Sequence, residues 1–164
     1  MLKYGADLQP AEGKRPDDYA GFAEALAAKV NVSDRDRHML IVDNERELEA
    51  LATLLNEFRF DYEPFELLLL PEGAETTPLF PDYGFVSARG RAYAYGYLCA
   101  VFAFTGGGDG AEPAQAEEQM REHLVAVCEE GGRTRYMADR ALNGLMRGIA
   151  KAYNCKLEFL YGDD

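Results

Sequence analysis

The feature that most constrains the fold is an uncharged stretch from Ala92 to Gly108, in a chain in which 28% of residues are charged. Its first part alternates small residues with Tyr93, Tyr95 and Tyr97. Successive side chains of a strand point to opposite faces, so this alternation predicts a strand with one aromatic face. The apolar run, residues 92–105, is too short to cross a bilayer as a helix, which takes about 20 residues. We therefore predict one long strand at the centre of a sheet.

Apolar periodicity and turn residues along the whole chain predict an α+β protein. We expect one mixed, mostly antiparallel sheet of about five strands packed against about four helices, in the order α-β-α-β-β-β-α-α-β. Residues 1–15 are polar and predict a flexible arm, whereas residues 16–164 predict a single domain. The predicted helices cover residues 17–30, 45–58, 113–130 and 134–153, and the predicted strands cover residues 39–42, 65–70, 85–88, 92–105 and 155–161.

Local signals support several of these boundaries. Asn44 followed by Glu47 has the form of a capping box, which predicts a helix start. The segment from Val42 to Phe65 then predicts a strand–helix–strand unit with its two strands parallel. Arg89-Gly90 predicts a hairpin turn, and Gly131-Gly132 predicts the end of a helix.

Three cysteines, Cys99, Cys128 and Cys155, form an odd number with no close pair. They favour neither a disulfide framework nor a structural zinc site, and they are typical of a reducing compartment. The first residues, MLKYGADLQP, contain no apolar run of the kind found in signal peptides. We therefore expect a cytoplasmic protein with buried, unreactive thiols and no cofactor.

The net charge of −12 is spread evenly, because residues 1–50, 51–100 and 101–164 each carry −4. This charge disfavours binding to nucleic acid or to anionic membranes, which needs the opposite sign. The even spread indicates a solubilising surface rather than a dedicated acidic face. At a finer scale, residues 60–88 contain acidic and no basic side chains, whereas residues 131–156 are rich in arginine and lysine.

The tyrosine stretch is also a candidate binding surface. Residues Arg91–Tyr95 weakly resemble the base-stacking strand of RNA-recognition domains, and Leu40–Asn44 partly resembles its partner strand. The resemblance implies that Tyr93 and Tyr95 stack on bases. The alternative is a strand whose tyrosines, Tyr97 included, pack inside the protein and hydrogen-bond at their tips. The net charge favours packing, and leaves Arg89 and Arg91 as the basic groups at the strand's start.

Asp34, Asp36 and His38 alternate with Arg35 and Arg37. In an extended chain the first three would share one face and could hold a hard or borderline cation, while the arginines would share the other. The alternative is that these residues are only a charged segment that leads into the buried strand that follows. The sequence favours this alternative.

Asp43 follows that buried strand, at the end where open α/β sheets bind ligands. An aspartate there can also act as an ordinary helix cap.

The TGGGDG loop, residues 105–110, stands between a strand and a helix, which is the position of a phosphate cradle. Asp109 and Glu112 at the helix start disfavour phosphate, so we predict a flexible connection there.

The predicted fourth helix contains Gly144 and Gly148 on one face, near Arg140, Arg147 and Lys151. Glycine costs about 1 kcal/mol in a helix interior, so this pair predicts the close approach of another element. The three cations then predict either contact with the acidic segment or a site for an anion or a partner.

No nucleophile elbow, metalloprotease motif or dinucleotide fingerprint occurs in the chain. We therefore expect a non-enzymatic binding or interaction protein, such as an accessory or inhibitor protein of a bacterium or a mobile element. A protein partner or self-association is expected, and nucleic acid and membranes are not. One alternative is a small-molecule enzyme with its site near Asp43, and another is the RNA-recognition-like surface.

Overall fold

The computed structural model describes residues 1–163, apart from the side chain of Asp17, and shows an α+β chain with two antiparallel sheets, of six and five strands. The α+β class is as predicted, but the single mixed sheet is wrong. The described chain falls into two compact units, and the single domain over residues 16–164 stays a prediction from the sequence. Unit 1 comprises Met1–Leu69 and Val86–Tyr93, and unit 2 comprises Leu70–Phe85 and Ala94–Asp164.

The elements occur in the following chain order. The strands are β1 (Leu2–Gln9), β2 (Val32–Asp36), β3 (Met39–Val42), β4 (Asp61–Leu69), β5 (Glu75–Thr76), β6 (Gly84–Val86), β7 (Ala92–Tyr95), β8 (Cys99–Thr105), β9 (Leu124–Glu130), β10 (Arg133–Asp139) and β11 (Lys156–Tyr161). The α-helices are α1 (Phe22–Lys29), α2 (Glu45–Glu57), α3 (Pro113–Met120) and α4 (Asn143–Ala152). None of the helices described is long and apolar enough to span a membrane.

The six-stranded sheet has the order β2-β3-β1-β4-β7-β6, and β1 lies in its middle. The predicted flexible arm is therefore a strand over Leu2–Gln9. Tyr4, Ala6 and Leu8 alternate with Lys3, Gly5, Asp7 and Gln9, and Ala6 and Leu8 are buried in the core. Burial of this alternating face makes the segment a strand, although the surrounding glycines and charges suggested an arm.

The strand–helix–strand unit has the predicted strand directions, and a third strand lies between its two strands. β3 and β4 each pair with β1 in antiparallel register, so they run parallel to each other with β1 between them. Pro64 does not interrupt β4, and it lies opposite Ala6 in the register. At the start of α2 the Glu47 N–H donates to Asn44 Oδ1 at 2.9 Å, which confirms the predicted cap.

Helices α1 and α2 cover one face of this sheet. Phe22, Leu26, Leu51, Leu54 and Leu55 are buried against the strands, in the core of unit 1. The predicted helix over residues 17–30 is shorter, because a 3-10 turn at Pro16–Asp18 precedes a left-handed Gly21 at φ +78°. α1 begins only after that glycine.

The predicted long strand over residues 92–105 is wrong. It is β7 and β8, which belong to different sheets and are separated by a turn in which the Leu98 N–H donates to the Tyr95 carbonyl at 3.1 Å. The turn includes Gly96-Tyr97, although the alternation of small and aromatic residues continues through these two residues. Before β7, the predicted turn at Arg89-Gly90 is confirmed, with Gly90 at φ +78° and the Ser87 N–H donating to the Arg91 carbonyl.

The five-stranded sheet of unit 2 has the order β11-β8-β10-β9-β5, and α3 and α4 share a core cluster with it. The predicted helix over residues 113–130 ends at Met120, and its second half is β9. Residues Leu124–Cys128 are consecutive apolar residues and almost all are buried, which a central strand achieves and a one-sided helix does not. Gly131-Gly132, both at positive φ, form a hairpin turn rather than a helix end. The first part of the predicted fourth helix is β10, whereas the terminal strand is as predicted.

Candidate anion-binding site

Tyr93 of the tyrosine stretch is buried and bonded to another candidate residue. Its hydroxyl donates to Asp34 Oδ2 at 2.9 Å, and the Ser87 hydroxyl donates to the same oxygen at 2.6 Å. The other carboxylate oxygen accepts the Arg35 N–H at 2.8 Å. Asp34 and Tyr93 are only 4% and 1% exposed. Because β2 and β7 lie towards opposite edges of the sheet, the strands curl so that these side chains meet.

The protonation states of this Asp34 cluster are fixed by its surroundings. Burial alone would raise the pKa of Asp34, but the hydrogen bonds from Ser87, the Arg35 N–H and Tyr93 outweigh it and lower that pKa. Burial and the bond to Asp34 raise the pKa of Tyr93 to about 12. Near neutral pH the carboxylate is therefore charged and the phenol protonated, so neither exchanges a proton readily. The cluster holds the sheet rather than performing acid–base chemistry.

The three predicted metal ligands do not converge. Asp34 is occupied by hydrogen-bond donors, while His38 lies exposed in the turn between β2 and β3. Among the described side chains, no group of three or more from His, Cys, Asp or Glu could hold a metal ion.

Asp43 lies in a second polar contact of unit 1. Its Oδ1 is 3.0 Å from Lys3 Nζ, and the bond from Lys3 lowers the pKa of Asp43 against the effect of burial. The charge of Arg91 further lowers the pKa of both Asp43 and Asp34. Arg89 donates through Nη1 to the Ser33 carbonyl at 3.0 Å. The structure thus brings Asp43, Arg89, Arg91 and Tyr93 into one region.

The other two tyrosines lie in unit 2. Tyr95 is half-buried and Tyr97 is 57% exposed. Their ring centroids are 5.7 Å apart, and Tyr95 also contacts Phe85 at 5.6 Å. The three tyrosines therefore do not form one aromatic face, because the chain turns after Tyr95.

A basic pocket in unit 1 is the most distinctive cavity bounded by described residues. Its volume is about 280 Å³. The basic pocket is lined by Arg15, Pro16, Phe22, Arg35, Arg37, His38 and Leu40. The described lining thus contains three guanidinium groups, an imidazole and an apolar wall, but no carboxylate, in a chain whose net charge is −12.

The strand register explains why one of these arginines, Arg35, faces the pocket. Arg35 lies opposite Leu40, whose neighbour across the sheet is Ala6 of the core. Arg35 therefore faces the helix side, and Asp34 faces away from it. Among the side chains that the structure describes, which exclude that of Asp17, those of Arg35, Arg37 and His38 form no ion pair or hydrogen bond. The guanidinium charges of Arg35 and Arg37 are available to a ligand.

The predicted basic site of unit 2 is arranged differently. Arg140 Nη2 donates to the Gly96 carbonyl at 2.9 Å, and its guanidinium lies over the Tyr161 ring. Arg147 pairs with Asp163, and Lys151 is exposed on the same helix. Gly144 and Gly148 have no atom within 4 Å of the position a Cβ would take, so the predicted close approach is absent within the described chain.

The remaining candidates of unit 2 are structural. All three cysteines are free and buried, and burial raises the pKa of Cys99 to about 12. In the TGGGDG loop, a Cβ on Gly107 would lie 2.9 Å from the Asn154 carbonyl oxygen, so this glycine permits close backbone packing. Glu112 then donates its N–H to the Tyr153 carbonyl at the start of α3.

Comparisons with known proteins reveal no relative, since no protein-family model, no curated protein and no solved structure matches this chain. The function is therefore argued from the chemistry of the chain's own residues. Sequence reasoning recognised that Arg35 and Arg37 share a face but assigned them no role. It missed Arg15 altogether, because only the fold brings the segment before α1 to the end of β2.

Proposed function

We propose that this protein is a non-enzymatic binding protein that holds an anionic group of its ligand or partner in the basic pocket. One observation carries the proposal. Three arginines and a histidine line a cavity of about 280 Å³, and the side chains of Arg35, Arg37 and His38 have no partner within the described chain. Guanidinium groups match oxyanions in charge and geometry, which makes such a cluster suited to carboxylate or phosphate.

The polar groups elsewhere in unit 1 support binding over catalysis. An enzyme centred on Asp43 would need a free acid, base or nucleophile, but Asp43 is paired with Lys3 at 3.0 Å. Tyr93 is held protonated by its raised pKa of about 12. The RNA-recognition alternative loses one of its two stacking residues, because Tyr93 is buried, and keeps only Tyr95. A cytoplasmic accessory or inhibitory role with a protein partner remains our prediction from the sequence.

Calorimetric titration of the full chain with pyrophosphate tests the proposal. We expect binding at one site per chain, weakened at least about tenfold by Arg35→Ala, since a hydrogen bond to a charged group contributes about 1.5–3 kcal/mol. Arg59→Ala is the matched control, because Arg59 is exposed and does not line the pocket. Absence of binding, or an equal loss in both variants, would contradict a specific site.

A further inference from the structure

We infer that the basic pocket is built for a dianionic phosphate monoester with a compact apolar organic part. This inference rests on the proposed function and names the class of its ligand. It follows from the charge of the lining, from the presence of both Arg35 and Arg37 in it, and from the composition of its apolar part.

The charge of the lining favours phosphate over carboxylate. Arg15, Arg35 and Arg37 are positively charged at any ordinary pH, and no carboxylate is among the described lining residues. A carboxylate would neutralise one of these charges, whereas a phosphate monoester carries about −1.5 to −2. Its three terminal oxygens also offer acceptors to more than one guanidinium group. A dianion therefore compensates the cluster better than a monoanion of the same size.

Two arginines that are close in sequence line the same cavity. Arg35 is in β2, and Arg37 is in the two-residue turn that follows. Long side chains from these positions can converge on a phosphate from two sides, while His38 and Arg15 also line the cavity. The apolar wall of Pro16, Phe22 and Leu40 would contact the organic part.

The backbone conformation of Arg37 offers a matched control for the pocket charge. Its φ of 53° lies in the left-handed region, where glycine is favoured over side-chain-bearing residues. Arg59 shares this feature, with a φ of 59°, and is also exposed. A glycine at either position removes one positive charge and suits the backbone. The pair Arg37→Gly and Arg59→Gly therefore separates the role of the pocket charge from that of the turn.

The experiment is calorimetric titration of the full chain at pH 8 with phenyl phosphate, phenyl sulfate and inorganic phosphate. The two phenyl esters have the same shape, but the sulfate ester carries one negative charge and the phosphate ester almost two. We expect phenyl phosphate to bind at least about tenfold more tightly than phenyl sulfate. This factor corresponds to roughly one charge-assisted hydrogen bond that the sulfate ester would lack. Inorganic phosphate should bind several-fold more weakly than phenyl phosphate, because it makes no contact with the apolar wall.

Arg37→Gly should weaken phenyl phosphate binding at least about tenfold, and Arg59→Gly should leave it unchanged. Phenyl sulfate binding as tightly as phenyl phosphate would overturn the preference for a dianion. Inorganic phosphate binding as tightly as phenyl phosphate would overturn the role of the apolar wall. Both results would leave the proposed anion-binding function standing. If neither these anions nor pyrophosphate bind, that function fails as well.

Discussion

The arginines of the two units are used in different ways. In unit 2, Arg133 lies 2.7 Å from Glu158, Arg135 lies 2.8 Å from Glu130, and Arg147 pairs with Asp163. In unit 1, Arg35 and Arg37 point into one cavity without a carboxylate partner in the described chain. Paired charges on a surface stabilise a fold slightly, whereas like charges gathered at a cavity repel each other.

The difference separates charges that are paired within the fold from charges that, in our proposal, bind a ligand. The segment rich in basic residues, 131–156, attracted the functional prediction from sequence, yet Arg133, Arg135 and Arg147 are neutralised by neighbours. Arg35 and Arg37 alternate with Asp34 and Asp36, so the net charge of this segment does not reveal them. Partner availability, rather than local charge density, identifies the site.

The largest effect is expected from removing both Arg35 and Arg37. Arg35→Ala combined with Arg37→Ala should lower affinity for phenyl phosphate at least about 100-fold, because two charge-assisted hydrogen bonds contribute about 3 kcal/mol or more. The matched double variant, Arg133→Ala with Arg147→Ala, should leave that affinity unchanged. Titration calorimetry on all three proteins measures this, and a comparable loss in the unit 2 variant would remove the distinction between the two sets.

The next largest effect is expected at Asp34, where the charge is fully partnered. Asp34→Ala leaves the buried hydroxyls of Ser87 and Tyr93 without their acceptor, so we expect a loss of about 2–3 kcal/mol in the free energy of unfolding. Asp36→Ala, in the same strand, should change it by less than about 0.5 kcal/mol. Urea unfolding compares them, and equal effects would show that the Asp34 cluster does not hold the sheet.

The same carboxylate predicts a pH dependence. The pKa of Asp34 is lowered in the folded protein, so its stabilisation is complete above the ordinary value of 3.8 and is lost as pH falls through the folded pKa. The stability difference between wild type and Asp34→Asn should therefore be constant from pH 7 to about pH 4 and shrink below that. A difference that stays constant down to pH 2 would show that the hydrogen bonds do not depend on the charge.

A smaller effect is expected at the left-handed arginines. Arg37→Gly and Arg59→Gly should each raise the free energy of unfolding by up to about 1 kcal/mol, since the left-handed conformation costs a side-chain-bearing residue about that much. Because only Arg37 lines the pocket, its variant should gain stability while losing phosphate affinity. Thermal unfolding at matched ionic strength tests this, and destabilisation by both glycines would refute the assigned strain.

The smallest effect is expected from the ion pair of Arg147. Arg147→Ala should lower stability by less than about 1 kcal/mol, because both partners are roughly half exposed. The loss should shrink further in 1 M salt, which screens exposed pairs. A salt-independent loss would indicate that the ring contact with Phe159, 4.3 Å from the guanidinium, contributes more than the charge pair.

The sequence predicted the fold best where local chemistry decides the structure. The consecutive apolar residues Met39–Val42 form the buried strand β3, and Asn44 caps α2. It failed where tertiary burial outweighs periodicity. Leu124–Cys128 satisfies a helical stripe, yet forms a strand because it is buried within a sheet. The tyrosine alternation is real in β7, but nothing local shows that the chain leaves the sheet after Tyr95.

The candidate site was harder to predict than the fold. The alternation of Asp34 with Arg35 correctly placed the two charges on opposite faces. The functional hypothesis, however, was a metal site on the acidic face. Arg15 is distant in sequence, and only packing of the segment before α1 brings it to the pocket. Whether an arginine is paired also depends on tertiary contacts, which one sequence does not record.

The most direct test of the central claim is a residue-resolved NMR titration of the ¹⁵N-labelled chain with phenyl phosphate. We predict saturable shift changes in the backbone and side-chain N–H signals of Arg15, Arg35, Arg37 and His38, with Arg133, Arg135 and Arg147 unaffected. Shifts centred on the paired arginines of unit 2, or spread over all exposed basic residues without saturation, would contradict the account.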